Sequence, residues 1–439
     1  MRAIEQFFHH FGKLRVPAAH RASAYLQCEE TAFVRWNHAQ VRQAGHVDQA
    51  TCTVELVFGR QHASLEVNLG GDAADDVARL QWAIDTLAET LPDVPDDPHL
   101  LLCDGAESQF DLPDLPTDPV DAAIADIARF SQGLDLVGIL AQGPIGAAYA
   151  DSSGVRHAWQ RPMSLLDYSV YAHTDKAIKR SLAGPTWQPA QFAAQLTDVR
   201  ACLPLLFVPP RLLEPDGYRA WLTPAAVEAL LEVLSWTGFS TKAHKTRQSH
   251  LQRLADGQGI LDARVNLVED TTLGVGPTFG PTGFAKKSVQ LWQNGRHIQG
   301  LCGPRTAQEY SLVTDGAADS EEPGSLSLRG GALAQADVLA RLGTGLWVDN
   351  LWYLNFSDRD ACRITGMTRF ATLWVENGVP VAPVAVMRFD DTLERMFGTA
   401  LVDLGQNPEL CVDALTWKRR ATRGARTPGV LLSDWTLTL

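Results

Sequence analysis

Two Asn-Gly pairs set in apolar runs constrain this chain more than any other feature. One is Leu373-Trp374-Val375-Glu376-Asn377-Gly378-Val379-Pro380-Val381; the other, a weaker copy upstream, is Gln290-Leu291-Trp292-Gln293-Asn294-Gly295-Arg296-His297-Ile298. Asn-Gly accepts the positive φ that a type I′ turn demands at both central residues, and that turn carries the twist of the strands it joins. Each stretch therefore predicts a β-hairpin, and two of them in one half predict a β-rich C-terminal domain.

At 439 residues the chain exceeds one ordinary core and fits two or three domains. Its 38 Lys and Arg against 51 Asp and Glu leave a net charge of −13, which repels a phosphate backbone and argues against nucleic acid as a partner. The most basic run, Lys418-Arg419-Arg420 with Arg423 and Arg426, lacks interleaved aromatics and reads as a solvated loop. The seven cysteines are scattered with no C-x-x-C, the pattern of reduced cytosolic thiols. No uncharged apolar run reaches the roughly eighteen residues of a membrane span, and Glu5, His9 and His10 interrupt the start where a signal peptide needs an apolar core. These features predict a cytoplasmic protein with no membrane partner.

The first part of the chain alternates as strands at Ala32–Trp36, Cys52–Phe58 and Ala63–Leu69, and Gly70-Gly71-Asp72 stops the last of them. A helix over 75–91 follows, then a stretch rich in Pro and Asp over 92–119 that reads as a linker or exposed crossover. Helices are predicted at 120–130 and 188–202, and strands at 135–140, 147–154 and 164–174. Near Val208-Pro209-Pro210 a boundary separates residues 1–215 from 216–439. Thr223 as N-cap, Pro224 in the first turn and an acid in the second then mark a helix over 223–234. Beyond Leu261 strands and turns alternate, with a flexible-looking stretch at 315–324. The fold class is α+β: a mixed sheet-and-helix region, then a β-rich domain for which barrel-like closure is one arrangement.

Searches for chemistry return little. His244 and His250 are six apart, on nearly opposite faces of a helix, and no H-E-x-x-H or H-E-x-x-x-H occurs. There is no G-x-S-x-G elbow and no S-x-x-K. Cys302, Cys362 and Cys411 are each a candidate thiolate nucleophile or a small buried hydrophobe. The loop Gly274–Gly283 contains two prolines, which remove N–H donors a phosphate cradle uses, and no Lys-Ser/Thr closes it, so it reads as a long turn. Trp347, Trp352, Tyr353, Arg369 and Trp374 are the candidates for peptide or partner contact; core packing is the competing reading for the tryptophans.

Taken in order, several segments resemble the TldD/PmbA family. They are Asp151-Ser152-Ser153-Gly154, the helix at 223–234, Arg264–Asp270, the Gly/Pro loop, the first hairpin, Gly300–Ala307, Pro323–Gly331 and the Glu376-Asn377-Gly378 hairpin. The resemblance implies a heterodimer in the cytosol, with a metal-bearing TldD half and a metal-free TldE/PmbA half, which cleaves small or unfolded peptides. It also implies where a metal would sit, because the metal-bearing half carries H-E-x-x-x-H on the helix matching 225–237, and this chain has no histidine there. The chain is thus expected to be the non-catalytic half, with no catalytic or metal residue of its own, and Zn on the partner. Cys411 lies roughly where the metal-bearing half has a cysteine ligand, and Thr427 stands where the metal-free half has its own cysteine. Thr365–Thr372 departs from the family's pattern before the last hairpin. A homodimer in place of the heterodimer, a homo-oligomeric peptide-binding modulator and an independent cysteine hydrolase are the alternatives.

Overall fold

The computed structural model describes residues 1–105, 108–115, 119–173 and 176–438. Its first half is built on one seven-stranded sheet. Strands β1 (Arg21–Asn37), β2 (Gln40–Phe58) and β3 (Gln61–Leu69) form the expected antiparallel meander, and β5 (Asp135–Asp151) pairs with the other edge of β1. β6 (Arg156–His173) follows β5 through the turn at Asp151–Gly154, and both β4 (Gln109–Asp111) and β7 (Lys176–Gly184) pair with β6. In that turn the Asp151 carboxylate accepts from the backbone N–H of Ser153 (2.9 Å) and Val155 (3.1 Å), while Gly154 takes φ +104°. The predicted strand over 164–174 is the latter part of β6; Thr174 lies outside the described residues.

β5 corrects the sequence reading, which broke it in two. A Gly-Pro pair in an apolar run signals a turn, yet here Gly143-Pro144 lies inside one continuous strand, paired with Met163 and Pro162 of β6 without a break. Pairing with β1 lapses between Glu29↔Ile145 and Ala32↔Gln142 with the register unchanged, and Gly143 takes φ +142° with its missing Cβ only 2.0 Å from the Glu30 carbonyl oxygen. The Pro- and Asp-rich stretch is likewise no free tether. It adds β4 to the sheet and buries Cys103, whose thiol donates to the Gly283 carbonyl at 3.3 Å.

Helices cover the sheet. α1 (Arg2–Phe11) and α2 (Ala73–Thr90) pack Phe7, Leu80 and Ile84 onto β1 and β2, and the Asp72 carboxylate caps α2 by accepting from the N–H of Ala74 and Asp75. α3 (Val120–Phe130) and α4 (Pro189–Cys202) bury Ile127, Phe192 and Leu196 against Tyr168 and Ile178 of β6 and β7.

The second half holds three open sheets around its own core. Its strands are β8 (Gly217–Leu222), β9 (Leu267–Glu269), β10 (Val289–Gln293), β11 (Arg296–His297), β12 (Ser325–Leu328), β13 (Gly345–Val348), β14 (Asn350–Asp358), β15 (Arg363–Arg369), β16 (Leu373–Glu376), β17 (Val379–Pro383), β18 (Arg388–Thr392), β19 (Leu401–Leu404), β20 (Glu409–Val412), β21 (Gly424–Thr427) and β22 (Val430–Thr436). The orders are β11-β10-β9-β12-β21-β20, β17-β16-β13-β8-β22-β19 and β14-β15-β18. Both Asn-Gly hairpins form, each ending a six-stranded sheet, with φ +50° and +72° at Asn294-Gly295 and +50° and +78° at Asn377-Gly378. Among the described residues none of the three orders returns to its first strand, so the barrel-like arrangement does not close: the hairpin strands β11 and β17 each pair with one strand there. α5 (Pro224–Ser235) inserts Val227, Leu230, Leu231 and Leu234 into this core.

Two polar stretches behave unlike their sequence reading. Residues 315–324 are pinned, because the buried Glu321 carboxylate accepts from Ser240 Oγ (2.6 Å) and from the N–H of Lys242 and Gly303, and Asp315 accepts from the N–H of Cys302. In the basic run at 418–420 Lys418 is exposed as expected, but Arg420 is not solvated. Arg420 is 4% exposed, and its guanidinium donates to the carbonyls of Gly143 and Met163, both at 3.1 Å. In each case a charged side chain answers backbone groups that the fold would otherwise bury unpaired.

Candidate functional site

A cleft of about 1180 Å³ opens where β7 and α4 meet the C-terminal half. α5 supplies one wall. Thr223 fixes its start twice over, accepting from the Ala226 N–H and donating from the same hydroxyl to the Asp349 carbonyl (2.6 Å), and the buried Thr427 hydroxyl donates to the Pro224 carbonyl (2.9 Å). The helix is therefore clamped to β13, β21 and the segment joining β13 to β14. It shows the cleft a face that includes Ala225, Glu228, Ala229, Glu232 and Ser235. β20 and the chain after it add Glu409, Cys411 and Asp413, and β7 adds Lys179 and Arg180.

Charge in the cleft is unbalanced. Seven carboxylates line it against three cations. Each cation already has a partner: Lys179 with Asp167 (2.7 Å), Arg180 with both oxygens of Asp349 (2.9 and 2.8 Å), and Arg423 with Asp413 (2.5 Å). Glu232 reaches only Arg423, at 3.9 Å, and Glu228 has no hydrogen-bond or ion-pair partner among the described residues. Burial, then the charges of Glu232 and Asp413, push the Glu228 carboxyl up to about 7. Burial and the Glu228 and Glu409 carboxylates push the Cys411 thiol up to about 12. Cys302 and Cys362 are also raised by burial, to about 11 and about 12. A thiol so held is a poor source of thiolate near neutral pH, the opposite of what a cysteine nucleophile needs.

The five residues singled out from the sequence do not converge. Trp347 lines the cleft beside Trp221, ring centroids 6.3 Å apart. Trp374 is buried in the C-terminal core, its indole N–H donating to Glu376 at 2.9 Å and its ring under the Arg211 guanidinium at 4.6 Å. Trp352, Tyr353 and Arg369 gather elsewhere: Arg369 lies 3.3 Å over the Trp352 ring, and Trp352 and Tyr353 are 52% and 75% exposed. Sequence reasoning missed Glu228, Glu232 and Glu409. The signal for the first two was present, as acids one turn apart on an otherwise apolar helix, but there Glu228 counted only as a helix-start feature.

The architecture and the C-terminal sequence together define the class. A model of the PmbA/TldA metallopeptidase C-terminal domain matches residues 215–439. The chain belongs to the PmbA/TldD family. Solved structures share the fold over nearly their whole length. TldE from Thermococcus kodakarensis is 10% identical with a TM-score of 0.76, 100% of each chain being covered. A candidate modulator of a DNA gyrase from Thermotoga maritima is 9% identical with a TM-score of 0.74, covering 100% of this chain and 99% of that one. A candidate modulator of DNA gyrase from Bacteroides thetaiotaomicron is 13% identical with a TM-score of 0.71, covering 99% and 97%. No curated protein sequence matches the chain. No helix among the described residues is long and apolar enough to cross a membrane.

Proposed function

We propose that this chain is the TldE/PmbA-like, non-catalytic subunit of a heterodimeric cytosolic metallopeptidase that acts on small or unfolded peptides. One observation carries the reading. α5, the helix corresponding to the H-E-x-x-x-H helix of the metal-bearing half, faces the large cleft, and it does so with alanine and glutamate side chains and no imidazole. Two carboxylates and a thiol kept protonated do not fit the imidazole set a peptidase zinc is held by. On this reading water activation belongs to the partner's metal. This subunit contributes the cleft and exposed strand edges, along which an extended peptide satisfies its backbone hydrogen bonds whatever its sequence.

The likeness in fold to TldE supports the same assignment. A non-hydrolytic modulator, self-paired, is the second reading, and the two structures described as candidate gyrase modulators favour it. Co-purification from the native host, followed by peptidase assay, separates them. The expected result is a stable complex with a chain bearing H-E-x-x-x-H, and cleavage only by the complex. A clean 47.9 kDa monomer in the presence of every copurifying chain, or full activity from this chain alone, overturns the proposal.

A further inference from the structure

The cleft holds a charge problem that the chain leaves unsolved. With all three lining cations paired, Asp198, Glu228, Glu232 and Glu409 remain; among the described residues only Glu232 comes within ion-pair distance of one of these cations, Arg423, already bonded to Asp413, while Glu228 and Glu409 feel Arg423, Lys179 and Arg180 from farther off. Glu228 and Glu232 stand one turn apart on the same face of α5, a spacing at which like charges repel. Glu228 is half-buried, faces the cleft and has no partner among the described residues. An unpaired carboxylate set away from water is costly, and a ligand cation is the group that offsets that cost with charge-assisted hydrogen bonds. Trp347 lines the same cleft, and an indole face is a further attraction for an ammonium or guanidinium.

We propose that the cleft is a cation-selective site whose ligand is a positively charged peptide segment, an N-terminal ammonium or a lysine or arginine side chain, held against Glu228 and Glu232. This rests on the reading of the cleft as a peptide channel and adds the chemical class of peptide it takes. The same carboxylates exclude acidic segments by repulsion, so discrimination arises from both attraction and rejection.

The test uses the full-length chain and four fluorescent eight-residue peptides on one apolar framework, measured by anisotropy at low salt. The first has a free N-terminus and a lysine, the second is acetylated with the lysine, the third has a free N-terminus without it, and the fourth is acetylated and carries glutamate. The first is expected to bind at least tenfold tighter than the fourth, with the preference shrinking as salt rises from 20 to 500 mM. The second and third show which cation is read. Glu228→Gln/Glu232→Gln should reduce the preference to within threefold. If that variant unfolds, the single Glu228→Gln change should still reduce it, and an undiminished preference there overturns the assignment. Equal binding of all four peptides by the parent chain overturns this inference and leaves the peptide channel standing. Failure of every peptide to bind overturns both.

Discussion

The Arg420 guanidinium donates to the Gly143 carbonyl at 3.1 Å, joining a C-terminal loop to the middle of β5 across 277 residues of sequence. The same guanidinium donates to the Met163 carbonyl on β6 at 3.1 Å and to Thr31 Oγ1 on β1 at 3.4 Å. Gly143 and Met163 face each other across β5 and β6, and the planar fork of an arginine reaches both carbonyls at once, which a lysine ammonium on its flexible stem does less well.

Arg420→Met should therefore lower stability by about 2–4 kcal/mol, since it removes the donors to two carbonyl groups, one buried and one half-buried. Arg420→Lys should fall between the two. Urea unfolding followed by near-ultraviolet circular dichroism is the measurement. A methionine variant as stable as the parent would show that water or a backbone shift satisfies these carbonyls.

The two hairpin glycines should respond unequally to alanine. Both have positive φ, which costs an alanine roughly 1 kcal/mol or more. At Gly378 the added Cβ would sit 3.1 Å from the Leu339 carbonyl oxygen, a contact that small adjustments relieve. At Gly295 it would sit 2.2 Å from the Leu261 carbonyl oxygen, which demands a backbone shift. Gly295→Ala is expected to destabilise by about 3 kcal/mol or more and Gly378→Ala by about 1–2 kcal/mol. Thermal melts of both variants decide it, and the reverse order contradicts the geometry.

Glu228 predicts a pH-dependent stability difference. Its carboxyl is raised from 4.5 in the unfolded chain to about 7 in the folded one. Between those values the native state binds more protons than the unfolded state, so stability falls as pH rises through the window. Glu228→Gln removes the titration. The variant should match the parent near pH 4.5 and exceed it by about 1 kcal/mol at pH 8, a figure discounted for the water that the open cleft admits. Melting temperatures across pH 4.5–8 give the answer; a difference that does not grow with pH refutes the assignment.

Replacing Cys302, Cys362 or Cys411 by serine should leave the activity of the reconstituted pair within about tenfold, a packing-sized change of about 1.4 kcal/mol. All three thiols are held protonated by burial, each with at least one carboxylate beside it. A loss of several orders of magnitude from one such change, in a chain that still folds and pairs, would place the nucleophile in this subunit.

What was legible in the sequence was local. Asn-Gly forces positive φ wherever it lies, so both hairpins could be read directly, and Asp72 and Thr223 cap their helices because their side chains reach N–H groups two or three residues on. Composition misled where a polar residue found a distant partner. Glu321 meets Ser240 and Gly303 from stretches 81 and 18 residues away, and nothing in residues 315–324 announces them. Trp347, Trp352 and Trp374 have similar strand contexts, yet one lines the cleft, one lies on the surface under Arg369 and one is buried in the core. Period-two alternation assigns a side chain to a face of its strand without saying what covers that face.

The sequence by itself thus determined the two hairpin turns, the two helix caps, most of the longer helices, and the family to which the chain belongs, because these depend on residues within a few positions of one another or on an ordered series of short segments. Tertiary structure alone decided that α5 faces a cleft, that β20 brings Glu409 and Cys411 close to Glu228, and that three cations there are matched by only three of seven carboxylates. The reason is physical: a charge is defined by what surrounds it in three dimensions, and burial with the nearest opposite charge, not position in the chain, sets whether a carboxylate is a satisfied partner or an unfilled site.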